Sequence, residues 1–208
     1  MPDEVDEPDH LHMDADAQLL AAVERGEQPA TIRCYRWREP AVTLGRLQDE
    51  DAAGQAFPGL PLYRRPTGGR AVRHGDDLTI CIAVLGSQIS TCVSGAIGVT
   101  SAYHLLTEPL KRALRKFGVD PQSGVSAGVE FGSANSQDCF ASTARCDVLD
   151  AKHGIKIVGC ALRRSARAIL LQMSLRPLPE IDIFRREFLD ELRRQYERCL
   201  NIGRRDFA

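Results

Sequence analysis

An α+β fold is predicted for this 208-residue chain by three observations. Short strand-like runs stand beside two long amphipathic helical patterns, no regular strand-helix-strand alternation joins them, and no internal repeat is present. With 43% hydrophobic residues the chain can bury a core of ordinary size, and its length predicts a single domain.

The elements follow in order. Residues 1 to 12 carry five acidic residues with Pro2 and Pro8 and have little to bury, so a mobile acidic tail is expected ahead of a domain spanning residues 13 to 208. Asp14 to Arg25 places Leu19, Leu20, Ala22 and Val23 at helical spacing, and Gly26 ends it. Thr31 to Trp37 alternates as a strand, and Ala41 to Gly45 and the apolar Asp77 to Val84 read as two more. A small-residue stretch from Gly86 to Gly98 leads to a helix over Val99 to Phe117, its apolar stripe running from Leu105 to Phe117 and its lysines and arginines facing water. Pro109 should kink or break this helix and Gly118 should cap it. Gly124 to Gln137 reads as a loop, Ala144 to Leu149, Lys156 to Leu162 and Ala168 to Leu175 as strands, and His153-Gly154 as a hairpin turn. Ile183 to Leu200 closes the chain as an amphipathic helix.

The chemistry-bearing segment is Arg64-Arg65-Pro66-Thr67-Gly68-Gly69-Arg70-Ala71-Val72-Arg73-His74. The glycine pair permits positive φ and close approach to a ligand, and the arginines supply charge for a carboxylate, a phosphate or a pantetheine phosphodiester. The strand that follows holds this loop against a core. A basic hairpin turn is the competing reading.

Twenty-seven basic against 28 acidic residues leave a net charge of −1, which argues against a general nucleic-acid or membrane-surface protein. The arginine-rich stretches 163 to 167 and 185 to 205 read as solvated faces. Seven cysteines, at 34, 81, 92, 139, 146, 160 and 199, form no CxxC pair and no zinc spacing, so no metal site is expected. With no apolar signal segment and no 18-residue apolar run, a cytoplasmic protein with reduced thiols is expected.

The loop Arg64 to His74, followed by Asp77-Leu78-Thr79, resembles the biotin/lipoyl protein ligase superfamily, lipoyl branch. So does Arg33 to Gln48, read as R-x-Y-x-W, a proline and V-T-L-G-R-x-Q. A further block is Cys139-Phe140, followed seventeen residues after the cysteine by Lys156 in a G-x-K-x-x-G-x-A pattern over Gly154 to Ala161. The arginine and Leu-Thr at the glycine loop are similar to the cysteine-dependent octanoyltransferases; ligases that activate lipoate with ATP more often carry a third glycine and an asparagine there. The resemblance implies a mixed, largely antiparallel sheet flanked by helices, of the class II aminoacyl-tRNA synthetase and biotin synthetase type. It implies an acyltransferase that moves an octanoyl or lipoyl group from acyl carrier protein or another carrier to a lysine of a lipoyl domain or glycine cleavage H protein, through a thioester on Cys139. Lys156 would stabilise charge on the acyl carbonyl, and Arg64, Arg65, Thr67, Gly68, Gly69, Arg70, Ala71, His74, Gly159 and Ala161 would bind substrate. The transferase needs no cofactor. The alternatives are an ATP- and Mg²⁺-dependent lipoate-protein ligase, and a catalytically degenerate paralogue that binds a lipoyl domain or acyl ligand. The last is motivated by Leu171-Gln172-Met173-Ser174 standing where the family has Q-H-G-S, by Cys160-Ala161-Leu162 in place of S-A-Q, and by the short region after Leu175.

Overall fold

The computed structural model describes residues 7–90, 98–124 and 136–200. Its elements in chain order are α1 (His12–Arg25), β1 (Thr31–Arg36), β2 (Ala41–Leu44), α2 (Glu50–Ala56), β3 (Leu62–Arg64), β4 (Val72–His74) and β5 (Leu78–Leu85). They continue with α3 (Gly86–Ser90), α4 (Val99–Lys116), β6 (Pro121–Ser123), β7 (Val148–Asp150), β8 (Ile155–Arg164), β9 (Ala168–Leu175), α5 (Pro179–Ile183) and α6 (Arg185–Leu200).

Six strands form one antiparallel sheet in the order β1-β5-β9-β8-β7-β6. A smaller sheet, β3-β2-β4, holds the one parallel pair among the described residues, β2 with β3. The fold is thus α+β with a mainly antiparallel sheet. Strand alternation divides the large sheet into two faces. Ile80, Ile82 and Val84 of β5 with Leu171, Met173 and Leu175 of β9 pack against Leu106, Leu110 and Leu114 of α4 and Phe188, Leu192 and Tyr196 of α6. The opposite face, with Cys81, Ala83 and Leu170, meets Leu19, Leu20 and Val23 of α1 together with Tyr35 and Trp37. The small sheet lies over the remainder of that second face, and the gap between the two sheets becomes the site. No helix among the described residues is long and apolar enough to cross a membrane.

Several elements depart from the sequence reading. Helix α4 runs unbroken through Pro109. The carbonyl of Leu105, which a proline at 109 leaves without its helical donor, accepts the Cys199 thiol of α6 at 3.9 Å, and Tyr196 donates to the next carbonyl, Leu106, at 2.6 Å. Lys111 is buried rather than solvated, its ammonium 2.7 Å from Glu108. The run 144–149 becomes a strand only from Val148, because the Asp147 carboxylate accepts the Ala144 N–H at 2.6 Å and turns the chain there. The closing helix stands as α6, and a short unexpected helix, α5, precedes it. Of the expected acidic tail, residues 7 to 12 are held down. Glu7 accepts from Arg33 at 2.7 Å, and the Asp9 carboxylate takes the N–H groups of Arg38 and Glu39 at 3.0 to 3.1 Å. Residues 1–6, 91–97 (with Cys92), 125–135 and 201–208 lie outside the described residues.

Two close contacts position the glycine loop. Gly45, just past β2, lies under Gly69 so tightly that a Cβ there would stand 1.9 Å from the Gly69 carbonyl oxygen. Gly69 has φ +91°, which L side chains rarely adopt. A Gly45→Ala change is therefore expected to lower stability by about 1–3 kcal/mol through overpacking, read as a lowered denaturant midpoint. On the helical side, Glu191 of α6 receives Lys116 of α4 at 2.5 Å, Gln195 at 2.6 Å and Arg194 at 2.9 Å. Burial alone would raise its carboxyl, but these partners hold it down from 4.5 to about 2. The stabilisation is complete above about 4.5 and is lost as the pH falls through about 2. Glu191→Gln should cost about 1–2 kcal/mol at neutral pH, and the gap to the parent should close on acidification.

Candidate active site

The site forms where the Cys139 segment is pinned across both sheets. Ala71 donates its N–H to Gln137 at 2.9 Å and accepts the N–H of Cys139 at 2.7 Å, so the glycine loop and the cysteine are stitched backbone to backbone. Asp138 caps the short 3₁₀ turn Cys139–Ala141 by accepting the Phe140 N–H at 2.9 Å. From β8, Lys156 reaches into this turn. Its ammonium donates to the Cys139 carbonyl at 2.6 Å and the Ser142 carbonyl at 3.2 Å, and lies 3.3 Å from Cys139 Sγ.

Asp147 supplies the counter-charge, 2.7 Å from Lys156 Nζ, with side chains only 5% and 1% exposed. It also accepts the Cys160 N–H at 3.1 Å, so one buried carboxylate ties the turn 144–147 to β8. Burial alone would lower the Lys156 ammonium, but the neighbouring Cys139 sulfur and Asp147 carboxylate raise it above the ordinary lysine value. Lys156 is thus a fixed cation at neutral pH. The thiols of Cys81 and Cys160 are pushed well up by burial and that of Cys146 to about 12, which leaves them poor nucleophiles. Cys139 is half-buried and faces a cation.

A partly open, mainly apolar cavity adjoins Cys139 and is lined from both sheets. Gly159, Ala161 and Thr79 on the large sheet face Val72, Thr43 and His74 on the small one, with Met13 of α1 and Arg65 also lining it. Glycine at 159 matters because a Cβ there would stand 3.4 Å from both Cys139 Sγ and the Phe140 ring, closing space beside the sulfur.

Of the residues expected at the site, Cys139, Lys156, Arg65, Gly69, His74, Gly159 and Ala161 are brought together around this cavity. Arg65 is buried and donates to carbonyls at Thr43 (2.9 Å), Gly68 (2.7 Å) and Arg70 (2.6 Å), so it shapes the loop from inside. Burial lowers its guanidinium to about 10, with Cys139 opposing that shift, so it stays charged at neutral pH. Thr67 donates to Gln172 at 2.6 Å, and Ala71 acts through its backbone. Gly68 and Arg70 lie in an adjoining groove, Arg70 bonded to Ser142. Arg64 does not form the pocket wall. It points away and donates to the Gly45 and Gln48 carbonyls and to Glu50, bracing the loop after β2. His74 lines the wall with both ring nitrogens engaged, Nδ1 with Asp77 and Nε2 with Thr43, each at 2.8 Å, and its ring stacks on Trp37 at 4.4 Å. It is neither a free base nor a free donor toward a thioester.

The sequence does not single out Asp147, and it singles out Gln172 only as a departure from the family pattern. Gln172, standing where the resemblance expects a histidine, receives Thr67 and donates to Asp16 at 2.6 Å; Asp16 in turn accepts from Tyr35 at 2.8 Å and from Arg33. This buried chain ties α1 to the glycine loop through the large sheet.

The lipoyl protein ligase A/B catalytic domain model matches residues 9–196, nearly the whole of this arrangement. The chain belongs to that family. The octanoyltransferase LipM of Kyrpidia tusciae is 32% identical over 169 residues, 78% of this chain and 59% of that protein. The Staphylococcus aureus octanoyltransferase LipM is 31% identical over 182 residues, 84% of this chain and 63% of its own length. The chain thus spans about three fifths of the length of these relatives. Among solved structures, a lipoate-protein ligase A bound with ATP superposes with a TM-score of 0.66 at 21% identity, covering 99% of this chain and 87% of that one. The bi-partite lipoate protein ligase of Thermoplasma acidophilum gives 0.63 at 20% identity, covering 99% and 85%. These two likenesses establish the shared fold.

Asp147→Asn would place an amide where three N–H donors converge and leave Lys156 buried without its counter-charge. A loss of about 3 kcal/mol is expected from chemical denaturation, much more than a surface pair would give.

Proposed function

We propose that the protein is an octanoyltransferase that carries the acyl group as a thioester on Cys139. The reading is carried by one observation: the Lys156 ammonium lies 3.3 Å from Cys139 Sγ at the head of an apolar cavity. The likeness to octanoyltransferases over most of the chain supports it. In the first half-reaction the sulfur of Cys139 adds to the carbonyl carbon of a carrier-bound octanoyl thioester. The carbon–sulfur bond to the carrier then breaks, and the carrier thiol leaves with the electron pair and a proton. In the second, the amine of a lysine on a lipoyl domain or glycine cleavage H protein attacks the Cys139 thioester. A carbon–nitrogen bond forms, the carbon–sulfur bond to Cys139 breaks with its electron pair going to the sulfur, and the proton lost by the amine passes to that sulfur, restoring the thiol. Lys156 is placed to hold the charge that develops on sulfur and on the carbonyl oxygen, and Asp147 keeps it there. The octanoyl tail would lie between the sheets, past Gly159 and Ala161. No cofactor enters these steps, and the lipoyl transfer variant uses the same two.

The test is the intact mass of the protein after incubation with octanoyl-acyl carrier protein without ATP. One octanoyl group, removed by hydroxylamine and absent from Cys139→Ala, is the expected result. Lys156→Met should slow its appearance by about 10²–10³-fold while the denaturation midpoint still shows a folded protein. Absence of the adduct would sink the cysteine mechanism. Lipoate-dependent modification of a lipoyl domain with ATP, retained in Cys139→Ala, would establish the ligase instead, and binding of an acyl ligand with no modification would establish a non-catalytic binder.

A further inference from the structure

Two hollows share lining residues with the Cys139 cavity, and their charges differ. The first shares Gly69 with the cavity and is lined by Arg46, Arg70, Arg163 and Arg164, with Gln48 and Gln137 beside them and no carboxylate among the described lining residues. The second shares His74 and Ser174 with the cavity, and there Arg73 and Arg176 are offset by Asp76, Asp77 and Asp138. Four arginines converging from three separate segments, the β2–α2 connection, the glycine loop and the end of β8, make a strongly positive concavity. Arg46 and Arg164 are exposed, and Arg70 is bonded to Ser142. Gly68 and Gly69 also line it, where no side chain holds a ligand away from the backbone.

We propose that the Arg46–Arg70–Arg163–Arg164 groove seats the phosphate of a phosphopantetheine-type donor arm, so that its thioester reaches Cys139 past Gly69. This rests on the transferase reading for what the arm carries. A guanidinium fork matches the oxygens of a phosphate, and the second hollow, with three carboxylates beside its two arginines, is the poorer place for an anion. Arg163 and Arg164, which as a sequence read as a solvated turn, become the part of the site that recognises the donor rather than the acyl group. The phosphate-linked pantetheine could belong to a carrier protein or to free coenzyme A.

The deciding measurement is binding rather than acylation, made on the Cys139→Ala protein by titration calorimetry or ligand-observed NMR. Phosphopantetheine should bind at least about 10-fold more tightly than pantetheine, and the advantage should vanish in an added Arg163→Ala/Arg164→Ala pair and shrink with salt. Equal binding of the two ligands, or an advantage that survives the double substitution, overturns the proposal. Displacement of bound phosphopantetheine by holo-carrier protein at lower concentration than by coenzyme A assigns the arm to the carrier, and the reverse order assigns it to coenzyme A. Failure of the cysteine mechanism is read separately, as absence of the octanoyl adduct even from a neutral octanoyl thioester of N-acetylcysteamine.

Discussion

The buried pair between Asp147 and Lys156 is the constraint on which the site depends. A lysine side chain 5% exposed in an apolar fold carries a large desolvation cost, and a carboxylate 1% exposed carries another. Neither would be held charged unless each satisfied several partners, and both do. The carboxylate takes Ala144 N–H, Cys160 N–H and the ammonium; the ammonium takes two carbonyls, the carboxylate and the sulfur of Cys139. The result is a cation whose position is fixed by the strand β8 on one side and by the turn of Cys139 on the other. Such a group cannot swing away when a substrate arrives, which is the property an electrostatic stabiliser of developing charge requires.

That rigidity extends outward through backbone contacts and a few buried side chains. Ala71 joins the glycine loop to the cysteine turn, and Gly45 under Gly69 fixes the loop's height above β2. Arg65 fills the loop from beneath with three carbonyl partners, and Thr67 anchors it to Gln172 on β9. The loop is therefore held by both sheets and by α1, although glycine pairs in isolation confer freedom. The freedom is used once, to set the φ of Gly69, and is then removed by packing.

Much of this was legible in the sequence wherever a signal was local. The apolar runs of β5 and β9, the stripes of α4 and α6, the glycine turn and the spacing from Cys139 to Lys156 each occupy contiguous residues, and each lies near its expected place. What was not legible depends on tertiary contact. β3, β4 and β6 have three residues apiece, too few for a period to show. Asp147 sits in a run that reads as a strand, and nothing adjacent reveals that three donors converge on it. His74 and Arg64 carry side chains that suit substrate chemistry, yet the fold spends them on Asp77, Thr43 and the loop after β2. That α4 continues past Pro109 was not legible, because the donor that satisfies the Leu105 carbonyl comes from Cys199, 94 residues away.

The departures from the lipoyl-branch pattern acquire a physical meaning in the same way. A histidine at position 172 would face the Thr67 hydroxyl and the Asp16 carboxylate, and the glutamine present there satisfies one as an acceptor and the other as a donor, which a single amide does well. Asp16, fully buried, has its carboxyl raised by that burial, with Arg33, Tyr35 and Gln172 opposing the shift. The glutamine thus belongs to the support that links α1 to the loop, away from the reacting atoms at Cys139 and Lys156. A missing His-Gly pair therefore removes nothing from the sulfur, the ammonium or the glycine at 159. The substitutions alter the frame of the cavity and leave intact the constellation that chemistry at Cys139 would use.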